Sequence, residues 1–176
     1  MVDYQPKTSL RNLPLLLQKV SVLVIDSDQR IANIVKHVLQ NLGFGTIRLE
    51  HTSQEGLDYM MQTQVDFLIC DQELERLDNG QTLVKFLRTN PDSPNAYVPI
   101  IMMSAHTDAK HVAEARDQGV TEFAAKPFTA KTLCDRVVSV IENPRSFIVT
   151  KRYTGPDRRR RSLPPPPGGD RRKDRH

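Results

Sequence analysis

The sequence predicts a doubly wound α/β domain, a parallel sheet with helices on both faces, followed by a basic tail. Three observations carry that reading. Short apolar, β-branched runs at 20–25, 65–70 and 98–103 have the length and composition of strands buried on both faces. Segments with apolar residues at helical spacing lie between them. The two kinds of segment alternate five times, the order that favours parallel strands joined by crossover helices.

The elements follow in order. After the first strand, Asp28 is placed to cap a helix whose apolar face is Ile31, Ile34, Val35, Val38, Leu39 and Leu42, stopped by Gly43. A weaker strand is expected over Thr46–Glu50. Thr52-Ser53-Gln54-Glu55 has the form of a capping box and opens the next helix. After the strand at 65–70, Gly80–Thr89 reads as a helix on Leu83, Val84 and Leu87, ended by Asn90-Pro91. The strand at 98–103 is followed by an alanine-containing helix over 108–118 that Gly119 closes. Glu122–Ala125 is a short fifth strand, and Lys126-Pro127 leads into a last helix over 129–142.

Residues 1–19 form an N-terminal extension, 20–142 the domain, 143–150 a linker and 151–176 a tail. The tail holds ten Lys/Arg against three Asp, a net of +7, whereas residues 1–150 hold fifteen against eighteen, a net of −3. A slightly acidic body therefore carries a strongly basic segment. Its composition is too polar to bury a core, so disorder is expected from 151 onward, with Pro164–Pro167 as a semi-stiff spacer. No apolar run approaches the ~20 residues of a spanning helix, and Leu13-Pro14-Leu15-Leu16-Leu17 lacks a cleavage site after it. Cys70 and Cys134 have no metal or redox spacing and read as reduced thiols, so a cytoplasmic location is expected.

Ligand sites in such sheets form where loops leave the carboxyl ends of the strands. Those ends carry Asp26-Ser27-Asp28, Asp71, Ser104-Ala105 and Lys126-Pro127. Carboxylates, a hydroxyl and an ammonium then face one pocket. Hard oxygen donors suit Mg²⁺ beside a phosphoryl group, and the lysine and hydroxyl suit phosphoryl oxygens.

With these residues in this order, the body resembles the CheY-like receiver domains of two-component response regulators over about 20–142. The resemblance rests on Val22-Leu23-Val24-Ile25-Asp26, Asp66-Phe67-Leu68-Ile69-Cys70-Asp71, Val98-Pro99-Ile100-Ile101-Met102-Met103-Ser104-Ala105 and Phe123-Ala124-Ala125-Lys126-Pro127-Phe128. It implies a flavodoxin-like sheet of order 2-1-3-4-5, with Asp71 as phosphoacceptor, Ser104 as switch hydroxyl, Phe123 as aromatic switch and Lys126 as phosphate-sensing lysine. The metal ligands it implies are Asp26, Asp71 and the backbone carbonyl of Glu73, with Asp28 as a further candidate. A histidine kinase or phosphotransfer protein would act upstream, and a protein target, such as a flagellar motor or regulatory component, downstream.

Three features depart from the family's pattern. Ser27 stands where a second consecutive acid is usual. The loop from Gln72 to Gly80 lacks the usual proline and has an extra residue. Glu73 and Glu75 add negative charge near Asp71, which disfavours a further anion there.

In the tail, Gly155-Pro156-Asp157-Arg158-Arg159-Arg160-Arg161 and Gly168-Gly169-Asp170-Arg171-Arg172 form a near repeat. Arginine supplies a planar fork for phosphate or guanine and a flat stacking face, and a neighbouring carboxylate accepts guanine's donor edge. Tyr153 is a candidate stacking platform. The segment resembles the arginine-rich, cyclic di-GMP-binding extension of the Cle group of receivers, which are linked to flagellar motors and surface attachment.

The expected function is a single-domain response regulator, not an enzyme, that is phosphorylated on Asp71 with Mg²⁺ and signals through protein contact. Its tail is expected to bind cyclic di-GMP. Two alternatives stay open: a phosphorylation-impaired scaffold serving only as a cyclic di-GMP effector, and an adaptor whose tail binds polyanions without specificity. No DNA-binding domain is expected after the body.

Overall fold

A computed structural model of the chain describes residues 17–74, 79–106, 108–150 and 153–157. Five strands alternate with five helices: β1 (Ser21–Ile25), α1 (Gln29–Leu42), β2 (Thr46–Glu50), α2 (Ser53–Gln62), β3 (Phe67–Asp71), α3 (Gly80–Thr89), β4 (Ile100–Ser104), α4 (Ala109–Asp117), β5 (Glu122–Ala125) and α5 (Ala130–Glu142). The strands form one sheet in the order β2-β1-β3-β4-β5, every pair parallel. The order reverses between β1 and β3, which opens a crevice at their carboxyl ends.

Side-chain alternation divides the core in two. Val22, Val24, Ile69, Ile101, Met103 and Ala124 face Val35, Leu39, Leu133 and Val137 of α1 and α5. Leu23, Ile25, Leu68, Cys70, Ile100 and Met102 face Met60, Leu83, Val84, Leu87 and Ala115 of α2, α3 and α4. Strands buried on both faces explain the unbroken apolar runs, and each fully buried aliphatic side chain contributes about 1.5–3 kcal/mol. Both predicted caps form: Asp28 accepts from the Arg30 N–H, and Thr52 and Glu55 make a reciprocal capping box. Thr129, expected as the first residue of the last helix, caps α5 instead.

The C-terminal segment departs from expectation. A hairpin of β6 (Phe147–Thr150) and β7 (Tyr153–Pro156) crosses the boundary drawn at 150/151, with Phe147 opposite Pro156 and Thr150 opposite Tyr153. Disorder from 151 therefore does not hold for 153–157. What orders this stretch is docking rather than a core of its own. A Cβ built on Gly155 would lie 2.7 Å from the Gly119 Cα, so the two backbones touch where only glycines fit. Arg88, 3% exposed, holds the junction. It donates from Nε to the Gly119 carbonyl at 3.0 Å, from Nη1 to Ala96 at 2.8 Å and from Nη2 to Val98 at 2.7 Å. Its guanidinium lies 5.1 Å from the centre of the Phe147 ring. Burial pushes the Arg88 pKa down to about 10, so it remains a cation at neutral pH. The hairpin sits at the amino ends of β4 and β5, away from the crevice.

Candidate functional site

Asp26 follows the last residue of β1, and Asp71 is the last residue of β3. Both are buried, at 0% and 6% exposure. Lys126, just past β5, is held at the same edge by its N–H, which donates to the Ser104 carbonyl at 2.7 Å. The Lys126 Nζ then lies 2.8 Å from Asp26 Oδ2 and 2.9 Å from Asp71 Oδ2. Three residues from three strand ends form one buried charged triad.

The electrostatics follow from this packing. Burial raises the Asp71 pKa above the ordinary carboxylate value, and the opposing pull of Lys126 does not cancel it. Burial also works to lower Lys126, but its bonds to Asp26 and Asp71 outweigh that and leave its pKa raised. The site thus holds a firmly protonated ammonium beside a carboxylate short of solvation.

The other sequence-predicted residues take distinct places. Ser104 is buried at the end of β4, and its Oγ accepts from the His106 N–H at 2.9 Å. Phe123 is half-buried against the core under α4, beside a cavity of about 240 Å³ that also touches Val112, Ala115 and Val120. Asp28 is drawn away from the triad. Its carboxylate caps α1 and pairs with Arg30 at 2.9 Å, and the Arg30 side chain holds its pKa down at about 2. Its backbone N–H donates to Asp26 Oδ1 at 2.9 Å, so Asp28 orients Asp26 instead of joining it. The Glu73 backbone bonds the Asp71 carboxylate, while its side chain reaches His106 Nε2 at 2.5 Å. Tyr153 is tied into the hairpin, its hydroxyl donating to the Pro156 carbonyl at 2.7 Å. Asp157 closes the hairpin through its N–H to the Ser146 carbonyl. Arg158, Arg159, Arg160, Arg161, Asp170, Arg171 and Arg172 lie outside the described residues.

Two participants escape a sequence reading. His106 bridges the loop after β4 to the loop after β3 through Glu73, and its ring stacks on His111 at 5.0 Å. His51 contacts the Asp26 carbonyl at 3.1 Å through Nδ1. His51 directly follows β2 and His106 lies two residues past β4, but neither belongs to a spaced motif that would mark it.

The donor set fits a hard, largely hydrated cation such as Mg²⁺: Asp26 and Asp71 offer carboxylate oxygens on one side of the crevice, and the Glu73 carbonyl follows two residues on. Among the described residues no cluster of three or more His, Cys, Asp or Glu forms a complete metal site. Two carboxylates with water and a substrate oxygen are what Mg²⁺ commonly takes.

Comparison with known proteins agrees with this geometry. Residues 22–138 match the model of the response regulator receiver domain. The chain is 27% identical to chemotaxis protein CheY-3 of Vibrio cholerae over 128 residues, 73% of this chain and 96% of that protein. It is 26% identical to chemotaxis protein CheY of Pseudomonas aeruginosa over 124 residues, 70% and 97% of the two chains. The crystal structure of CheY4 of V. cholerae superposes with a TM-score of 0.62 at 26% identity, covering 69% of this chain and 98% of that one. A response regulator structure from Chloroflexus aurantiacus gives 0.62 at 30% identity, covering 70% and 99%. With the family's model covering most of the sheet and all three triad residues, the chain belongs to the response regulator receiver domain family.

Proposed function

We propose that this chain is a response regulator, located in the cytoplasm and not an enzyme acting on metabolites. Asp71 takes a phosphoryl group from a histidine kinase or phosphotransfer protein, and output passes by contact to a protein target such as a flagellar motor component. The observation that carries this reading is the Lys126 ammonium held between Asp26 and Asp71.

In this mechanism an Asp71 oxygen attacks the donor's phosphorus, the bond from phosphorus to the donor breaks, and an acyl phosphate forms. Lys126 exchanges one of its carboxylate contacts for a phosphoryl oxygen and neutralises it. The Ser104 hydroxyl leaves the His106 loop and donates to another phosphoryl oxygen. Phe123 then follows into the space beside it. Asp26, Asp71 and the Glu73 carbonyl would hold Mg²⁺, which when bound would supply charge neutralisation at the phosphoryl oxygens.

The tail adds a second input. Asp157 with Arg158–Arg161, and Asp170 with Arg171 and Arg172, form a segment that takes cyclic di-GMP through guanidinium–phosphate and carboxylate–guanine contacts. Residues 20–142 act as the receiver and the chain beyond the hairpin as the ligand-binding arm.

One observation favours a second reading. Ser27 supplies no second acid, and Asp28 is committed to its cap. A receiver scaffold that is poorly phosphorylated and serves only as a dinucleotide effector follows from that. Incubation with acetyl phosphate and Mg²⁺ separates the two: the first reading expects one acid- and base-labile phosphoryl group per chain, absent in Asp71→Asn. No labelling of wild type leaves the scaffold reading. Calorimetric titration with cyclic di-GMP tests the tail; replacing Arg158–Arg161 with lysine should abolish binding, and equal binding by that variant overturns the dinucleotide assignment.

A further inference from the structure

The helices are not held equally. α3 buries Leu83, Val84, Leu87 and Arg88, whereas among the described side chains of α4 only Ala115 is buried. Between α4 and β5 lies the cavity of about 240 Å³, bordered by Val112, Ala115, Arg116 and Phe123. A helix with few buried contacts and open space beside it is an element that shifts at low cost. The space also borders Phe123, the side chain that moves when Asp71 takes a phosphoryl group.

The hairpin meets this region at two points. α4 ends through Gly119, whose N–H donates to the Arg116 carbonyl at 3.1 Å and whose φ is +96°. A Cβ on Gly119 would lie 2.7 Å from the Thr154 carbonyl oxygen of β7, and a Cβ on Gly155 would lie 2.7 Å from the Gly119 Cα. The two backbones touch with no side chain between them to absorb a shift. The second point is Arg145. At the hairpin's base the Asp157 N–H donates to the Ser146 carbonyl at 2.8 Å, which fixes the chain next to Arg145. Arg145 borders the same cavity as Phe123.

We infer that the β6–β7 hairpin is an intramolecular latch on α4. Docked on Gly119, with Arg145 at the cavity, it holds α4 in the position that belongs to unmodified Asp71, and phosphorylation releases it. The latch rests on the reading of Asp71 as phosphoacceptor. When Phe123 moves toward Ser104 it enlarges the cavity it borders, and the side chains around a void lose contacts. α4 closes that void by pivoting at Gly119, which has a glycine's backbone freedom, while the Gly119 carbonyl stays on Arg88. Two things obstruct the pivot: the β7 backbone packed on the Gly119 Cα, and Arg145 at the border of the space to be closed. The modified receiver and the docked hairpin therefore compete. By linkage, each weakens the other by the same factor.

The test uses the full chain with Mg²⁺ and beryllofluoride, a reversible tetrahedral mimic of the phosphoryl group. In wild type, saturating beryllofluoride should speed amide exchange in β6 and β7 about fivefold, the low end of ordinary coupling between two sites. Exchange in β1 should not speed up, and Asp71→Asn should show no response. Conversely, Gly155→Ala, which undocks the hairpin, should bind beryllofluoride more tightly than wild type by the same factor. Arg145→Ala keeps the glycine contact and should tighten binding by a smaller factor; it decides the matter if Gly155→Ala does not fold. Loss of a positive charge would by itself weaken binding of an anion, so tightening there is not a charge effect. Acetyl phosphate with mass detection reports on the phosphoacceptor reading separately, and exchange is measured on the labelled chain as well. If wild type takes up neither the mimic nor a phosphoryl group, that reading falls and the latch falls with it. If wild type takes up either one with hairpin exchange unchanged, or the variants bind the mimic no more tightly than wild type, the latch is overturned and the receiver reading stands.

Discussion

At the carboxyl end of the sheet Lys126 is held by two carboxylates, and at the amino end Arg88 is held by three backbone carbonyls and the face of Phe147. Both cations are largely out of solvent. What differs is whether their partners can be exchanged. Asp26 and Asp71 are side chains on a crevice rim, so an arriving phosphoryl oxygen can replace one contact with little backbone movement. The carbonyls of Ala96, Val98 and Gly119 are parts of the chain, and releasing them means opening the α3–β4 and α4–β5 connections. One end of the molecule is a site and the other a clamp, although each buries a single positive charge.

Four changes break or sharpen this contrast. Arg88→Met keeps the packed stem but leaves three carbonyls without their donor. It should destabilise the fold by about 3 kcal/mol in chemical denaturation, because unsatisfied buried acceptors lose their full compensation. A loss below about 0.5 kcal/mol would mean that the clamp contributes nothing. Gly155→Ala attacks the same end from the other side. Its Cβ would lie 2.7 Å from the Gly119 Cα and 2.6 Å from the Tyr153 hydroxyl. The expected loss is about 1–3 kcal/mol, confined to the hairpin. Amide exchange should accelerate over 147–156 and stay unchanged in β1 and β3; uniform acceleration would show that the hairpin and sheet unfold as one unit.

The two remaining changes concern the site. Ser27→Asp places a second acid beside Asp26, and Mg²⁺ affinity measured calorimetrically should rise, since a hard anionic ligand is added. Unchanged affinity would mean that position 27 does not face the cation. Asp71→Asn should have the smallest effect on stability, and in the opposite direction to Arg88→Met. Because the folded Asp71 pKa is raised, the folded state holds that proton more tightly than the unfolded chain. Its contribution is fully present below the unfolded value of about 4 and is lost as pH climbs through the folded pKa. At neutral pH the buried carboxylate is therefore a net burden, and Asp71→Asn should raise the melting temperature slightly while flattening its fall between acid and neutral pH. A lower melting temperature at pH 7 would show that the attraction of Lys126 outweighs burial after all.

Much of the sheet was legible because each strand records its own burial. Thr46–Glu50, Gly80–Thr89 and Glu122–Ala125 stand where periodicity and caps place them. The strand expected at 98–103 is shifted to Ile100–Ser104. Pro99 offers no N–H to a ladder, and Ser104 pairs with Ala125 at the far end. Asp26, Asp71, Ser104 and Lys126 were legible for a related reason: a polar residue ending an apolar strand has one place to go, the carboxyl edge. The duty of Asp28 was not. Both capping and metal ligation suit an Asp two residues past β1, and the neighbouring Arg30 decides for the cap.

The sequence by itself determined the alternation of strands and helices, the two-faced core, and which charged residues share the carboxyl edge. These depend on repeats a few residues long, read within one element. Only the tertiary structure decided the fate of Arg88 and the hairpin. On α3, Arg88 closes a helical turn next to Leu87 and looks like a solvated end residue. The β6–β7 connection, Lys151-Arg152, has no turn-forming glycine or asparagine to announce it. Their joining requires Ala96, Val98, Gly119 and Gly155, drawn from three separate stretches of chain, to arrive together. No local pattern records that meeting, because each partner contributes only a carbonyl or a missing side chain.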